Sequence, residues 1–346
     1  MKRHLLYLLM AAVLMTACQS GKELKVLQFN IWNEATPVEN GFQGIVDNIL
    51  AVNPDLVTFS EVRNYNNVCF IKYLCEELEK RGAKYYGNES VSTGIISKYQ
   101  IQSQEVVFPI KNDHGSVIKA NINIDGKKIA LYSAHLDYTE YSCYLPRGYN
   151  GSTWEEMEQP VTDIDSILKQ GRASQRDEEV QTIINDAKKE RDNGCLVIIG
   201  GDFNEPSHLD WQADTKNMRD LRGTVVNWDC SLMLQEAGYK DAFREVYPNP
   251  VTHPGFTYPA NNPHVEVSKL AWAPKADDRD RIDFIYYSPD ESISLKGATI
   301  VGPEGSVVYG KRTEKDPDSQ DSFIAPVGTW PTDHKALLVT FHLSTK

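Results

Sequence analysis

Two carboxylates and an amide leave one short loop, Gly200-Gly201-Asp202-Phe203-Asn204-Glu205-Pro206-Ser207, directly after the apolar run Leu196-Val197-Ile198-Ile199. Such a run reads as a buried strand, and a loop held by a rigid strand is a common seat for reactive groups. Other strand-like runs end on the same kinds of side chain. Residues 24–30 end on Asn30, and residues 55–60 are followed by Glu61. Arg281-Ile282-Asp283-Phe284-Ile285 sets one acid inside an aromatic and β-branched run, and Pro331-Thr332-Asp333-His334 precedes the last apolar run, 337–343. Carboxylate, amide and imidazole groups can hold a hard divalent cation through oxygen, take a proton from water and stabilise developing charge. Singly, each fragment also fits a turn, a cap or a local ion pair. Five of them in one chain point to one assembled site.

The elements that must position these groups alternate. A strand over 24–30 is followed by a helix over 42–52. The strand over 55–60 is followed by a helix whose Ile71, Leu74, Cys75 and Leu78 recur at i, i+3, i+4 and i+7. Strands are expected over 93–97, 105–110, 117–124 and 128–134. Asp125-Gly126 between the last two is a two-residue hairpin signal. A charged helix over 173–191 leads into the strand over 195–199. Hairpins beside helix-linked strands predict an α/β domain, two sheets packed face to face with helices outside. No Pro-, Gly- or Ser-rich linker divides it, so residues 24–346 read as one catalytic domain.

The order and wording of the motifs resemble the endonuclease/exonuclease/phosphatase superfamily, metal-dependent phosphohydrolases related to deoxyribonuclease I and neutral sphingomyelinase. The resemblance implies a four-layer α/β sandwich, with two mostly antiparallel sheets flanked by helices. It matches Asn30 and Glu61 to metal-binding positions and His135, in Tyr132-Ser133-Ala134-His135-Leu136, to the mid-chain catalytic histidine. Asp202 and Asn204 match the Gly-Asp-x-Asn element, Asp283 the Arg-Ile-Asp-x-Ile element, and Asp333 and His334 the terminal Ser-Asp-His, with Thr332 in place of Ser. Asp333 would help hold metal and His334 would be the active-site histidine. Thr257 is the candidate for a threonine that precedes the Arg-Ile-Asp strand in this family. Abasic-site endonucleases of the family carry an acid two residues after the opening Asn. Here that position is Trp32, which resembles the sphingomyelinase and small-phosphodiester side instead.

The implied chemistry is hydrolysis of an anionic phosphodiester, with a cation to offset its charge. Mg²⁺ suits the oxygen ligands of Asn30, Glu61 and Asp333, with Mn²⁺ as an alternative. Asp283 would orient His334 as a carboxylate fixes an imidazole. Asp202 and His334 compete as the base for water, Asn204 would orient phosphate or water, and His135 would serve the leaving oxygen. No residue reads as a covalent nucleophile, so water attacks in line. The stretch 137–170 is less regular and holds Tyr138, Tyr141, Tyr144, Arg147, Tyr149 and Trp154. Long loops beside a site are often functional, and Arg147 could grip an anion there.

Residues 1–17 read as a leader. Lys2 and Arg3 precede an apolar stretch too short to span a membrane. Leu14-Met15-Thr16-Ala17-Cys18 resembles a bacterial lipoprotein box, which implies cleavage before Cys18, acylation of its thiol, a tether over 18–23 and an exported, membrane-anchored, monomeric protein. The other five cysteines are an odd number, so at least one is free, and Cys69 and Cys75, six residues apart on one expected helix, are too far apart to pair, so the chain does not read as a disulfide-built scaffold. The chain carries a net charge of −12, and loss of Lys2 and Arg3 makes it −14. Nucleic-acid scavenging relies on Lys and Arg against phosphates, so the balance favours a small or lipid-linked phosphodiester over DNA. A nuclease is the alternative, and a non-catalytic binding lipoprotein of the same fold is a third reading, disfavoured because every motif acid and histidine is present.

Overall fold

Inward-facing apolar residues of two sheets make the centre of the molecule. The computed structural model describes residues 21–112, 114–317 and 319–344. The expected leader and Cys18 lie outside them. In chain order the strands are β1 (Gly21–Asn30), β2 (Leu56–Val62), β3 (Tyr86–Gly87), β4 (Ser92–Ser97), β5 (Ile101–Phe108), β6 (Ser116–Ile124), β7 (Lys127–His135) and β8 (Leu196–Asp202). They continue with β9 (Lys240–Asp241), β10 (Asp283–Tyr287), β11 (Ile293–Val301), β12 (Val307–Val308), β13 (Lys311–Arg312), β14 (Phe323–Ile324) and β15 (Ala336–Ser344). The helices are α1 (Gly41–Val52), α2 (Phe70–Lys80), α3 (Ile164–Gly171), α4 (Arg176–Asp192), α5 (Asp229–Glu236) and α6 (Ala242–Val246).

One sheet runs β14-β11-β15-β1-β2-β4-β3 and the other β5-β6-β7-β8-β10-β9. Both are mixed: β1 pairs β2 in parallel, and β7 pairs β8 in parallel. Leu24, Val26 and Leu56 of the first sheet pack against Ile118, Leu131 and Ile198 of the second. The opposite face of the first sheet is covered by Ile45, Ile49, Ile71 and Leu74 of α1 and α2. That of the second is covered by Val180, Ile183 and Leu234 of α4 and α5. The expected four-layer sandwich is therefore the observed one. Asp125 and Gly126 take φ of 51° and 89° in the β6–β7 hairpin, as a type I′ turn requires.

The two sheets approach each other closely at Gly200. A Cβ at Gly200 would lie 2.3 Å from Thr58 Oγ1 across the gap, and one at Gly201 would lie 2.5 Å from the Ala134 carbonyl oxygen. The double glycine is a packing requirement as much as a turn signal. β1 starts at Gly21, so residues 21–23 of the expected tether belong to the sheet. The five described cysteines other than Cys18 are all free. Among the described residues, no helix is long and apolar enough to cross a membrane.

Candidate active site

Register gathers the motif residues at one edge. In adjacent β7, β8 and β10, His135 lies opposite Asp202 and Asp202 opposite Asp283. In the facing sheet Asn30 ends β1 opposite Ser60 of β2, and Glu61 follows Ser60. Asp333 and His334 lie just before β15. A β-bulge between Ser60 and Val62 puts Glu61 at φ 70°, and it lines the same cavity as Asp202 and His334. Trp32, Asn33, Glu34 and Ala35 all have positive φ as well, as does Asn204. Such conformations are costly for residues with a Cβ and cluster at functional sites. Here the Glu34 carboxylate accepts from the backbone N–H groups of Arg63 and Asn64 at 2.8 and 2.6 Å and fastens the turn.

His334 and Asp283 are joined by a 2.8 Å bond at Nδ1. The other oxygen of Asp283 accepts from Gln28 Nε2 at 3.3 Å. His334 Nε2 lies 3.8 Å from Asp202 Oδ2. Asn30 Nδ2 donates to Asp202 at 2.8 Å and to Glu61 at 3.0 Å. Asp202 Oδ1 accepts from the Asn204 N–H at 2.9 Å, and Asn204 Nδ2 donates to the Leu136 carbonyl at 2.9 Å. His135 Nδ1 lies 3.0 Å from Ser92 Oγ. Ser60 Oγ ties the two sheets, donating to the Ala134 carbonyl at 3.1 Å and accepting from the Asp202 N–H at 3.2 Å.

Charge is unevenly shared in this buried cluster. Burial alone would lower the pKa of His334, but the carboxylates of Asp283 and Asp202 outweigh it and push it up to about 10. Burial raises Asp202, and repulsion from Asp283 adds to it, against the opposing pull of His334. Asp333 is raised by burial and by the nearby Glu61 charge, again opposed by His334. Above these groups opens a cavity of ≈ 350 Å³, walled by Trp32, Tyr138, Tyr141, Tyr144, Trp154, Tyr258 and Trp272.

The structure brings together Asn30, Glu61, His135, Asp202, Asn204, Asp283, Asp333 and His334. It does not bring Arg147 there. The Arg147 guanidinium is buried, paired with Asp280 at 2.5 Å, and stacks 5.3 Å from the Trp211 ring. The buried Asp280 has no solvent to offset its charge and claims the cation, so Arg147 braces the loop behind the wall. Thr257 is also buried behind the site, where its Oγ1 accepts from the N–H groups of Ile282 and Asp283 at 3.0 and 3.1 Å. It sets the position of Asp283 and does not face the cavity. Asn30 turns its amide nitrogen, not its oxygen, toward the carboxylates, because Oδ1 accepts from the Trp32 N–H at 2.9 Å. Glu205 turns away and accepts from Cys230 N at 2.8 Å at the start of α5. His208 follows in the same loop and is buried against Ser231 and Gln235. Sequence reading missed Gln28, Arg63, Tyr258 and the catalytic-edge role of Ser60. Gln28 carried a signal: it is a polar residue in an otherwise apolar stretch of β1.

Three ligand-type atoms of Asp202, Asp283 and His334 lie within 4.8 Å of one another, but His334 Nδ1 is already committed to Asp283. Besides Asp202, the carboxylates lining the cavity are Glu61 and Asp333. Two acids so disposed fit a hard cation.

Residues 27–334 match the Endonuclease/Exonuclease/phosphatase family. The chain belongs to this family. It is a phosphoric ester hydrolase, and its family is divalent-metal dependent. An uncharacterized protein of Caenorhabditis elegans is 33% identical over 280 residues, 79% of this chain and 81% of that protein. Among solved structures, zebrafish TDP2 complexed with a single-strand DNA product has a TM-score of 0.52 at 16% identity, covering 92% of this chain and 98% of that one. The human Nocturnin catalytic domain scores 0.50 at 13%, covering 92% and 94%. A Bacteroides vulgatus endonuclease/exonuclease/phosphatase scores 0.51 at 14%, covering 93% and 99%. These likenesses establish the fold.

Proposed function

We propose that this protein is a Mg²⁺-dependent phosphodiesterase acting on a small or membrane-derived phosphodiester. The observation that carries the reading is the cavity lining. Glu61, Asp202 and Asp333 face it with many aromatics, and Arg63 is the single Lys or Arg among the described lining residues. A nuclease groove needs a basic track for successive phosphates, and this lining does not supply one.

Glu61 and Asp333 would hold the cation, with Mn²⁺ as a substitute. When bound, it would offset phosphate charge and polarise a phosphoryl oxygen. Asp202, up to about 7 through burial and Asp283, is poised to take a proton from water near neutral pH. His334, held as an imidazolium by Asp283 and Asp202, donates from Nε2 to a phosphoryl oxygen as charge builds. This division of roles separates the two candidates for the base. His135 would protonate the leaving oxygen, and Asn30 and Asn204 hold Asp202 in position. The reading includes export and acylation at Cys18, tested by loss of fatty-acid labelling in Cys18→Ser.

The deciding experiment assays purified protein, with Mg²⁺ or EDTA, on bis-p-nitrophenyl phosphate, sphingomyelin, phosphoinositides and duplex DNA. Small or lipid diesters should be cleaved faster than DNA. Efficient DNA cleavage with steep salt dependence and no turnover of small or lipid diesters would make the nuclease reading correct.

A further inference from the structure

Gln28 breaks the pattern of its strand. Leu24 and Val26 of β1 point into the core between the sheets, and a period of two puts Gln28 and Asn30 on the same face. Asn30 reaches the catalytic carboxylates. Gln28 lies one step deeper and is wholly buried, where an aliphatic side chain would fill the core. A buried amide is costly unless its donor and acceptor groups are matched.

The matching fixes which way this amide points. The parallel register sets Gln28 beside Thr58 of β2, and Thr58 Oγ1 donates to Gln28 Oε1 at 2.6 Å. Gln28 Nε2 donates to Ser60 Oγ at 3.1 Å and, across the gap between the sheets, to Asp283 Oδ1 at 3.3 Å. The Ser60 hydroxyl gives its own proton to the Ala134 carbonyl, so toward Gln28 it can only accept. Reversing the amide would set its oxygen against the lone pairs of Ser60 and Asp283.

Asp283 is buried as fully as Gln28. Its Oδ2 meets His334 Nδ1 at 2.8 Å, and among the described residues Gln28 is the side chain that donates to Oδ1. The last torsion of an aspartate has a broad profile, so a carboxylate held at one oxygen turns easily. Held at both, its plane is set and Oδ2 stays aimed at the imidazole.

Resting on the roles given above to Asp283 and His334, we propose that Gln28 is a positioning residue of the reaction. It holds the second oxygen of Asp283, and through it the His334 ring, while Thr58 holds Gln28 in turn. Gln28 touches no substrate and carries no proton in this role. A Gln28 that only tied β1 to β10 would contribute to stability and leave the turnover of folded molecules unchanged.

The test compares full-length wild type, Gln28→Met and Thr58→Val on bis-p-nitrophenyl phosphate with saturating Mg²⁺. Met keeps the length of Gln without its polar end. Gln28→Met should lower kcat at least about tenfold, the weight of a hydrogen bond to a charged group, and leave KM within about twofold, because the substrate loses no contact. Thr58→Val removes the hydroxyl that orients the amide and should lower kcat about threefold. In an Asp283→Asn background, Gln28→Met should cost less than about twofold, because both act through one group. At one fixed pH, the proton on His334 Nδ1 should give a downfield NMR signal that His334→Ala removes and Gln28→Met moves or broadens. A lowered Tm with kcat and that signal unchanged would make Gln28 a structural tie and overturn the assignment, as would losses that multiply with Asp283→Asn. If Gln28→Met does not fold, unchanged kcat and signal in Thr58→Val overturn it. Full activity in Asp283→Asn and His334→Ala would instead refute the roles on which the proposal rests, and the NMR signal would still decide whether Gln28 holds the pair.

Discussion

Replacing Asp283 by Asn keeps the side-chain shape and removes the charge that holds His334 as an imidazolium. The backbone of Asp283 stays fixed by Thr257. Raising an imidazole from 6.5 to about 10 corresponds to about 5 kcal/mol of preference for its charged form. Asp283, at 2.8 Å, is the larger of the two carboxylate contributors, and Asp202 lies at 3.8 Å. Its removal should forfeit at least half, about 2–3 kcal/mol, and so about 100-fold in kcat/KM. The assay is kcat/KM on bis-p-nitrophenyl phosphate at pH 8 under saturating Mg²⁺, beside an NMR titration of the His334 ring. The titration midpoint should fall by about 2 pH units. Because the two residues act as a unit, Asp283→Asn/His334→Ala should be little worse than His334→Ala alone. Losses that multiply, or an unmoved His334 titration, would refute the pairing argument.

Glu61→Gln should raise the Mg²⁺ concentration for half-maximal activity by about 100-fold, at the upper end of what loss of an outer-sphere partner does, with the circular dichroism spectrum unchanged. Arg147→Met strands buried Asp280 and should destabilise the protein by about 3–5 kcal/mol in urea unfolding, with part of that recovered in Arg147→Met/Asp280→Asn; a raised KM at full stability would return Arg147 to the substrate. Since Asp202 must be deprotonated and His334 protonated, kcat/KM should rise as pH climbs through about 7 and fall through about 10. The acid limb should move to lower pH as divalent cation is titrated in, because a positive charge favours the carboxylate.

The chemistry was legible in the sequence because it is written at strand ends, where one polar residue interrupts an apolar run. Asn30, Glu61, Asp202 and Asp283 stand out for that reason, and the sheet register then gathers them. Residues that meet from distant segments gave no such signal. Arg147 looked available because Asp280, its partner, lies 133 positions away, and Gln28 reaches Asp283 across 255. β11 went unread because the bulge between Leu295 and Gly297 breaks its period-two pattern. β5 was read as residues 105–110 although it spans Ile101–Phe108, since as a largely exposed edge strand it shows little apolar alternation.

That division has a physical basis in how the two parts of the site are built. The reacting groups sit on strands whose sheets are pressed together through Gly200 and Ser60, so a shift of one sheet would displace Asp202 from Asn30 and Asp283 from Gln28 together. The wall over them comes from 137–161 and 256–273, segments outside the two sheets. It is braced by the buried Arg147–Asp280 pair and by the Tyr144–Asp278 bond. Changing a wall residue therefore alters what enters the cavity and leaves the sheet-borne hydrogen bonds in place, whereas changing a strand-end residue alters the reaction for every substrate. Specificity and chemistry should accordingly separate by mutation in this protein, with wall residues such as Trp154 and Trp272 on one side and Asp202, Asp283 and His334 on the other.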